Sequence, residues 1–161
     1  MKKIVFAALA AVLLVFAVSC GKAETRDISM YDLSREMLAA TKFGEMSYVS
    51  SSDDGAADLL ANVSDIDYEK VLSFFIAYAS DGMGNADEMV VIAVKDAADA
   101  EEAKRTLVRH LESRKELYAV YDPTQTEKLG KGEVFLKDNL AVLLVTGDNP
   151  AVKAAFDKFT A

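Results

Sequence analysis

Apolar residues along this chain follow three rhythms: one long unbroken run, stretches spaced three and four apart, and short blocks without polar interruption. The second rhythm predicts helices. Met30, Leu33, Met37 and Ala40 fall on one stripe, predicting a helix over 29–42. Ser29 with Asp32 resembles a capping box, and Gly44 is placed to close the far end. A longer stripe of Ala100, Ala103, Leu107, Leu111 and Tyr118 predicts a helix over 98–119, capped by Asp96 or Asp99. Pro123 stops it by forcing Asp122 out of the helical region. A last helix begins at an Asn149 cap with Pro150 in its first position, burying Val152, Ala155, Phe156 and Phe159. Residues 56–61 form a short helix after a loop over 50–55, "SSSDDG".

The third rhythm predicts strands. "VLSFFIAYA" (71–79) is rich in aromatic and branched residues. In 88–95 the valines and Ile92 fill both faces, which places this strand centrally in a covered sheet. Strands over 133–137 and 140–146 meet at Asp138-Asn139, residue types that tolerate positive φ in a tight hairpin. The expected fold is therefore α+β: an antiparallel sheet of about four strands from two β-β-α units, helices packed on one face, plus an N-terminal helix. The units also match at an offset of 52, with "VVIAVKDAADAEEA" (90–103) lying on "VLLVTGDNPAVKAA" (142–155). Shared ancestry explains this, and so does the common need of strand–cap–helix junctions for the same residue types.

The first rhythm is of another kind. Lys2 and Lys3 precede an apolar run from Ile4 through Ala17, followed by Val18, Ser19 and the single cysteine, Cys20. Basic start, short apolar core and small residues at its end make a secretory signal peptide. A membrane-spanning helix needs about 20 apolar residues. A core helix would need a polar face. Ala17-Val18-Ser19-Cys20 resembles the lipobox of bacterial lipoproteins, in which the thiol is acylated and the chain cut before it; alanine stands at 17 where leucine is usual. The domains expected are a leader over 1–19, a tether over 20–27 and one α+β domain over 28–161, with lipid attached at Cys20. A diacylglyceryl group supplies the two chains that stable anchoring requires. The acylated chain then has no thiol left for a disulfide, so its core must stabilise it.

Charge narrows the partners. The chain has 18 basic and 26 acidic residues; Lys2 and Lys3 leave with the leader, so the mature net charge is −10. An acidic domain lacks the basic footprint of nucleic-acid binding and is repelled by anionic lipid. The membrane contact expected is the anchor itself.

Candidate chemistry is sparse. His110 is the single histidine and has no cysteine or second histidine to share a metal with. No G-x-S-x-G nucleophile elbow accompanies it. "DGMGNADE" (81–88) has acids and glycines but not the spacing of a calcium loop, and reads as a turn between strands. No phosphate-binding glycine loop occurs. No catalytic residue, cofactor or metal is assigned. Arg105, Arg109 and Arg114, with Tyr118 and Tyr121, form a candidate interaction patch on the long helix, since arginine and aromatics dominate binding hot spots. The competing reading is a solvated face balanced by neighbouring glutamates.

Ala86-Asp87-Glu88 opening a hydrophobic strand, an Asp-capped charged helix, Tyr121-x-Pro123 at its exit and a valine-leucine hairpin are features shared with a known group. Residues 65–160 resemble a domain-of-unknown-function family of small bacterial lipoproteins, departing at the hairpin tip, where Asp138-Asn139 stands in place of glycine. The resemblance implies a fold and a cellular address, and no site to carry over. Together these readings predict a lipid-anchored extracytoplasmic protein of the cell envelope, a non-catalytic binding or assembly module with an envelope protein as partner. A small-ligand-binding lipoprotein serving a transporter and a carboxylate-dependent envelope enzyme are the alternatives.

Overall fold

The structure is a computed structural model and describes residues 28–81 and 84–161. The leader and tether expected over 1–27, and with them Cys20, lie outside the described residues. Five strands form one antiparallel sheet: β1 (Met46–Ser50), β2 (Val71–Ala79), β3 (Glu88–Val94), β4 (Glu133–Lys137) and β5 (Leu140–Val145), in the order β1-β2-β3-β5-β4. Among the described residues five α-helices accompany it: α1 (Met30–Ala39), α2 (Ala56–Ala61), α3 (Ala97–Tyr121), α4 (Thr126–Gly130) and α5 (Asn149–Phe159).

The α+β antiparallel class is the one the sequence predicts, with two differences. The sheet has five strands, because Met46–Ser50 pairs with β2, Val49 opposite Ile76. The helices cover both faces, not one. β3 and β5 are buried at every position, so either face left bare would expose a continuous apolar surface. Phe74, Ile76, Val90, Ile92, Leu143 and Val145 face Leu60 of α2, Ala103, Leu107 and Leu111 of α3, and Leu129 of α4. Their alternates Phe75, Met89, Val91, Val142 and Leu144 face Leu33 and Met37 of α1 and Val152 and Phe156 of α5. The period of two along each strand thus builds two cores around one sheet.

This arrangement bears on the offset of 52. β3 and β5 are antiparallel neighbours, so a two-fold axis between the β-β-α units would put α3 and α5 on the same face. They lie on opposite faces, and the offset partners Val90 and Val142 point to opposite cores. The units are of opposite hand, and no rotation superposes them. Their likeness is that of two strand–cap–helix junctions.

The caps follow the sequence closely. Ser29 accepts from the Asp32 amide at 3.3 Å, and Asp96 from the Ala98 amide at 3.0 Å. α1 ends at Ala39, so Gly44 closes nothing; it lies against Asp81, whose Oδ2 would stand 2.8 Å from a Cβ placed there. At α5 the cap is Asp148, accepting from Ala151 at 3.0 Å. Asn149 instead holds the turn, accepting from the Thr146 amide at 2.9 Å and donating to the Lys131 carbonyl at 2.8 Å. Asp138 takes a positive φ of 53° at the hairpin tip.

Candidate functional site

Glu88 is the first residue of β3 and stands opposite Tyr78 of β2. Its position on the strand matches Val90 and Ile92, so its carboxylate faces α3. There His110 and Arg114, one helical turn apart, lie on the same side of the helix. His110 Nε2 stands 2.9 and 3.2 Å from the two Glu88 oxygens, and Arg114 Nη1 2.9 Å from Oε2. A carboxylate only accepts, so His110 Nε2 carries the proton in this contact. Glu88 is 5% exposed. A carboxylate so buried requires paired cations or donors on its oxygens, and two residues of α3 supply them.

The residue before it repeats the arrangement. Asp87, equally buried, accepts from Lys128 of α4 at 2.7 Å, and Lys128 also donates to Asn85 Oδ1 at 2.9 Å. The backbone between is tied down as well: Arg114 Nη1 donates to the Ala86 carbonyl at 3.3 Å, Tyr118 to the Asn85 carbonyl at 3.4 Å, and the Ala86 amide to Gln125 at 3.1 Å. The Arg114 guanidinium lies 5.4 Å from the Tyr118 ring centre. Two neighbouring acids, each matched with a cation from a different helix, form a charge-compensated cluster.

Glu88 and Tyr78 are shared by two concavities. One, about 350 Å³, is walled by Asp87, Arg114 and Tyr118. The other, about 270 Å³, is lined by His110 and by Val49, Leu59, Val63 and Ile76. A larger hollow of about 560 Å³ lies elsewhere, between Ser29–Tyr31, Tyr48, Ser50–Asp53 and Leu72. Its one charged residue, Asp53, already accepts from the Ser50 amide at 2.6 Å. Titratable chemistry is gathered at Glu88, and the site is assigned there in preference to the larger hollow. Among the described residues no group of three or more His, Cys, Asp or Glu is placed to hold a metal.

The five patch residues do not share a surface. Arg114 and Tyr118 turn into the cluster. Arg109, about 140° round the helix from Arg114, forms an ion pair with Asp65 in which both side chains are exposed; such pairs contribute about 0–1 kcal/mol. Arg105 is exposed beyond it. Tyr121 belongs to an apolar helix end with Leu117 and Val120, where Tyr121 is 73% and Val120 76% exposed, and it meets only Tyr118 of the five, in a hollow lined also by Leu117 and Asp122. The sequence places Asp87 and Glu88 in a turn and at a strand start, with no functional role. The signal available was an acid at the first position of a strand apolar throughout, together with His110 and Arg114 at i, i+4 beside the apolar stripe of α3.

A family model described as a domain of unknown function (DUF4358) matches residues 45–146. The chain belongs to this family. The DUF4358 region takes in the whole sheet, α2, α3 and α4, and with them Asp87, Glu88, His110, Arg114 and Lys128. It begins further toward the N-terminus than the resemblance drawn from sequence, by the length of β1 and α2, and ends before α5. α1 and α5, the helices that cover the second face, lie outside the match. No curated protein and no solved structure matches the chain. Among the described residues no helix is long and apolar enough to cross a membrane.

Proposed function

We propose that this DUF4358 protein is a lipid-anchored, extracytoplasmic binding or assembly module of the cell envelope, held at the membrane through Cys20. The observation that carries this reading is the sequence at the start: two lysines, an apolar run from Ile4, then Val18-Ser19-Cys20. That order suits export followed by acylation of the thiol. The mature net charge of −10 favours contact with the bilayer through the anchor alone.

Binding is favoured over catalysis by the state of the cluster. His110 Nε2 and Arg114 both serve Glu88, an arrangement that stabilises a buried charge, and no G-x-S-x-G nucleophile elbow accompanies the imidazole. A second reading, a small-ligand receptor or a carboxylate-dependent envelope enzyme, draws on the same Glu88 lining both concavities.

The test compares the full-length chain with Cys20→Ala in a bacterial host. The natural chain is expected in the membrane fraction, cut before Cys20 and carrying the mass of a diacylglyceryl group; Cys20→Ala is expected to lose both. If both proteins fractionate alike and neither carries lipid, the anchor is wrong. Turnover of a substrate that Glu88→Gln abolishes would move the assignment to the enzyme.

A further inference from the structure

We propose that the Glu88 concavities bind a neutral carbohydrate, with Arg114 and Asp87 holding adjacent hydroxyls and the Tyr78 ring carrying the sugar's C–H face. The inference deepens the binding-module reading and is independent of the lipid anchor.

Charge is the first ground. Each acid of the cluster already faces its own cation: Glu88 faces Arg114, and Asp87 faces Lys128. A ligand with net charge would set an uncompensated charge beside one of the opposite pair at desolvating range. A neutral ligand meets no such penalty.

Open hydrogen-bonding capacity is the second ground. Arg114 uses only Nη1, toward Glu88 and the Ala86 carbonyl. Asn139 Oδ1 is the one fully buried side-chain polar atom without a partner among the described residues. The Nε and Nη2 groups of Arg114 and Asp87 Oδ2 therefore have no protein partner and are not fully sealed, on side chains that are 15% and 7% exposed at the wall of the concavity. The wall thus offers a fork of donors beside an acceptor. A vicinal diol suits both, because each hydroxyl can accept as well as donate. One hydroxyl accepts from Arg114, and its neighbour donates to Asp87.

The third ground is Tyr78. It stands opposite Glu88, is 40% exposed and has no aromatic, cationic or hydrogen-bonding partner among the described residues. An aromatic ring left bare in a polar concavity provides an apolar platform with a hydroxyl at its rim. The 350 Å³ hollow lies at the small end of the roughly 300–1,000 Å³ range of ligand sites. The second hollow continues past the same Tyr78 and Glu88, so several linked sugars should bind more tightly than one.

The experiment is calorimetric titration of the full-length protein, purified in a polyoxyethylene detergent whose head group is not a sugar. The probes are glucose, mannose and N-acetylglucosamine as single sugars and tetrasaccharides, with glycine and succinate as zwitterionic and anionic controls. At least one tetrasaccharide should bind, at least tenfold more tightly than its monosaccharide. Arg114→Lys keeps the charge facing Glu88 but not the second set of donors, and should lose most of the binding while melting near the natural protein. Tyr78→Ala, at a half-open position, should weaken binding roughly threefold to tenfold. Binding of glycine or succinate in place of the sugars overturns the carbohydrate and leaves a binding module standing. Absence of binding to every probe, or sugar binding indifferent to both substitutions, also overturns it. Cys20→Ala titrated alongside separates this result from the fate of the anchor.

Discussion

Arg114 Nη1 stands 2.9 Å from Glu88 Oε2, joining the middle of α3 to the first residue of β3 across 26 positions of sequence. Both side chains are largely withdrawn from water, so neither tolerates the loss of the other. Arg114→Leu leaves Glu88 with His110 alone and should destabilise the fold by about 3 kcal/mol, toward the lower end for a broken buried pair because the concavities admit water. Glu88→Gln combined with Arg114→Leu removes both charges and should recover much of that loss. Urea unfolding decides the matter through the midpoint at constant slope. Equal midpoints for the single and double variants would mean that Glu88 does not depend on Arg114.

A second long-range tie is neutral. Thr106 donates its hydroxyl proton to the Ala103 carbonyl at 2.7 Å, so the Ser64 hydroxyl must donate to Thr106, while Ser64 accepts from the Ile66 amide at 3.4 Å. Both residues are buried. Thr106→Val keeps the volume and strands the Ser64 proton, which should cost about 1–3 kcal/mol. Ser64→Ala in that background removes the stranded group and should add little further loss. A second full penalty on adding Ser64→Ala would show that the two hydroxyls act separately.

These two ties mark where the sequence stops being legible. β3, β5 and α3 are readable because their patterns are local: every position of β3 after Glu88 is apolar, and Ala100, Ala103, Leu107 and Leu111 repeat at helical spacing. β1 escapes because Met46–Ser50 is five residues, two of them serine, and its strand character comes from pairing with β2. Asp148 and Asn149 are both good capping residues, and only the fold decides which one caps α5. Helices on both faces follow from β5 being as apolar as β3, an inference the sequence permitted for β3 and that applied to the sheet. The Glu88 cluster is legible only in its parts, the acid opening β3 and the His110–Arg114 pair on α3. Nothing in one chain's pattern says that residue 88 meets residues 110 and 114.

Lys70 offers a test by pH. It reaches Glu102 at 2.7 Å and Asp99 at 3.2 Å in the first turns of α3. The hydrogen bond to Glu102, then that to Asp99, raises its ammonium above the ordinary value of 10.5. A pKa raised by folding contributes stability that is complete below the unfolded value and lost as pH climbs through the folded one. Lys70→Met should therefore melt slightly below the natural protein at neutral pH, and the gap should close above pH 10.5. High salt should narrow it at neutral pH as well, because the contact is exposed. A gap constant across this range would place the effect of Lys70 in its methylenes instead.

Gly132 lies close against Leu111 of α3. A Cβ there would stand 2.8 Å from Leu111 Cδ1 and 3.0 Å from the Leu129 carbonyl oxygen. Its backbone needs no left-handed conformation, so the demand is for space. Leu111 is buried in the first core, and Leu129 beside it is fully buried, which leaves little room to yield. Gly132→Ala should accordingly cost about 1–3 kcal/mol, the range for overpacking. Leu111→Ala alone should cost about 2–5 kcal/mol through the cavity it leaves. Because the new methyl would enter that cavity, the penalty of Gly132→Ala should shrink in the Leu111→Ala background, without vanishing, since the Leu129 carbonyl remains in place. The double-mutant cycle measures this coupling directly. If Gly132→Ala costs the same in both backgrounds, its burden falls on the backbone turn into β4 and not on the packing of α3.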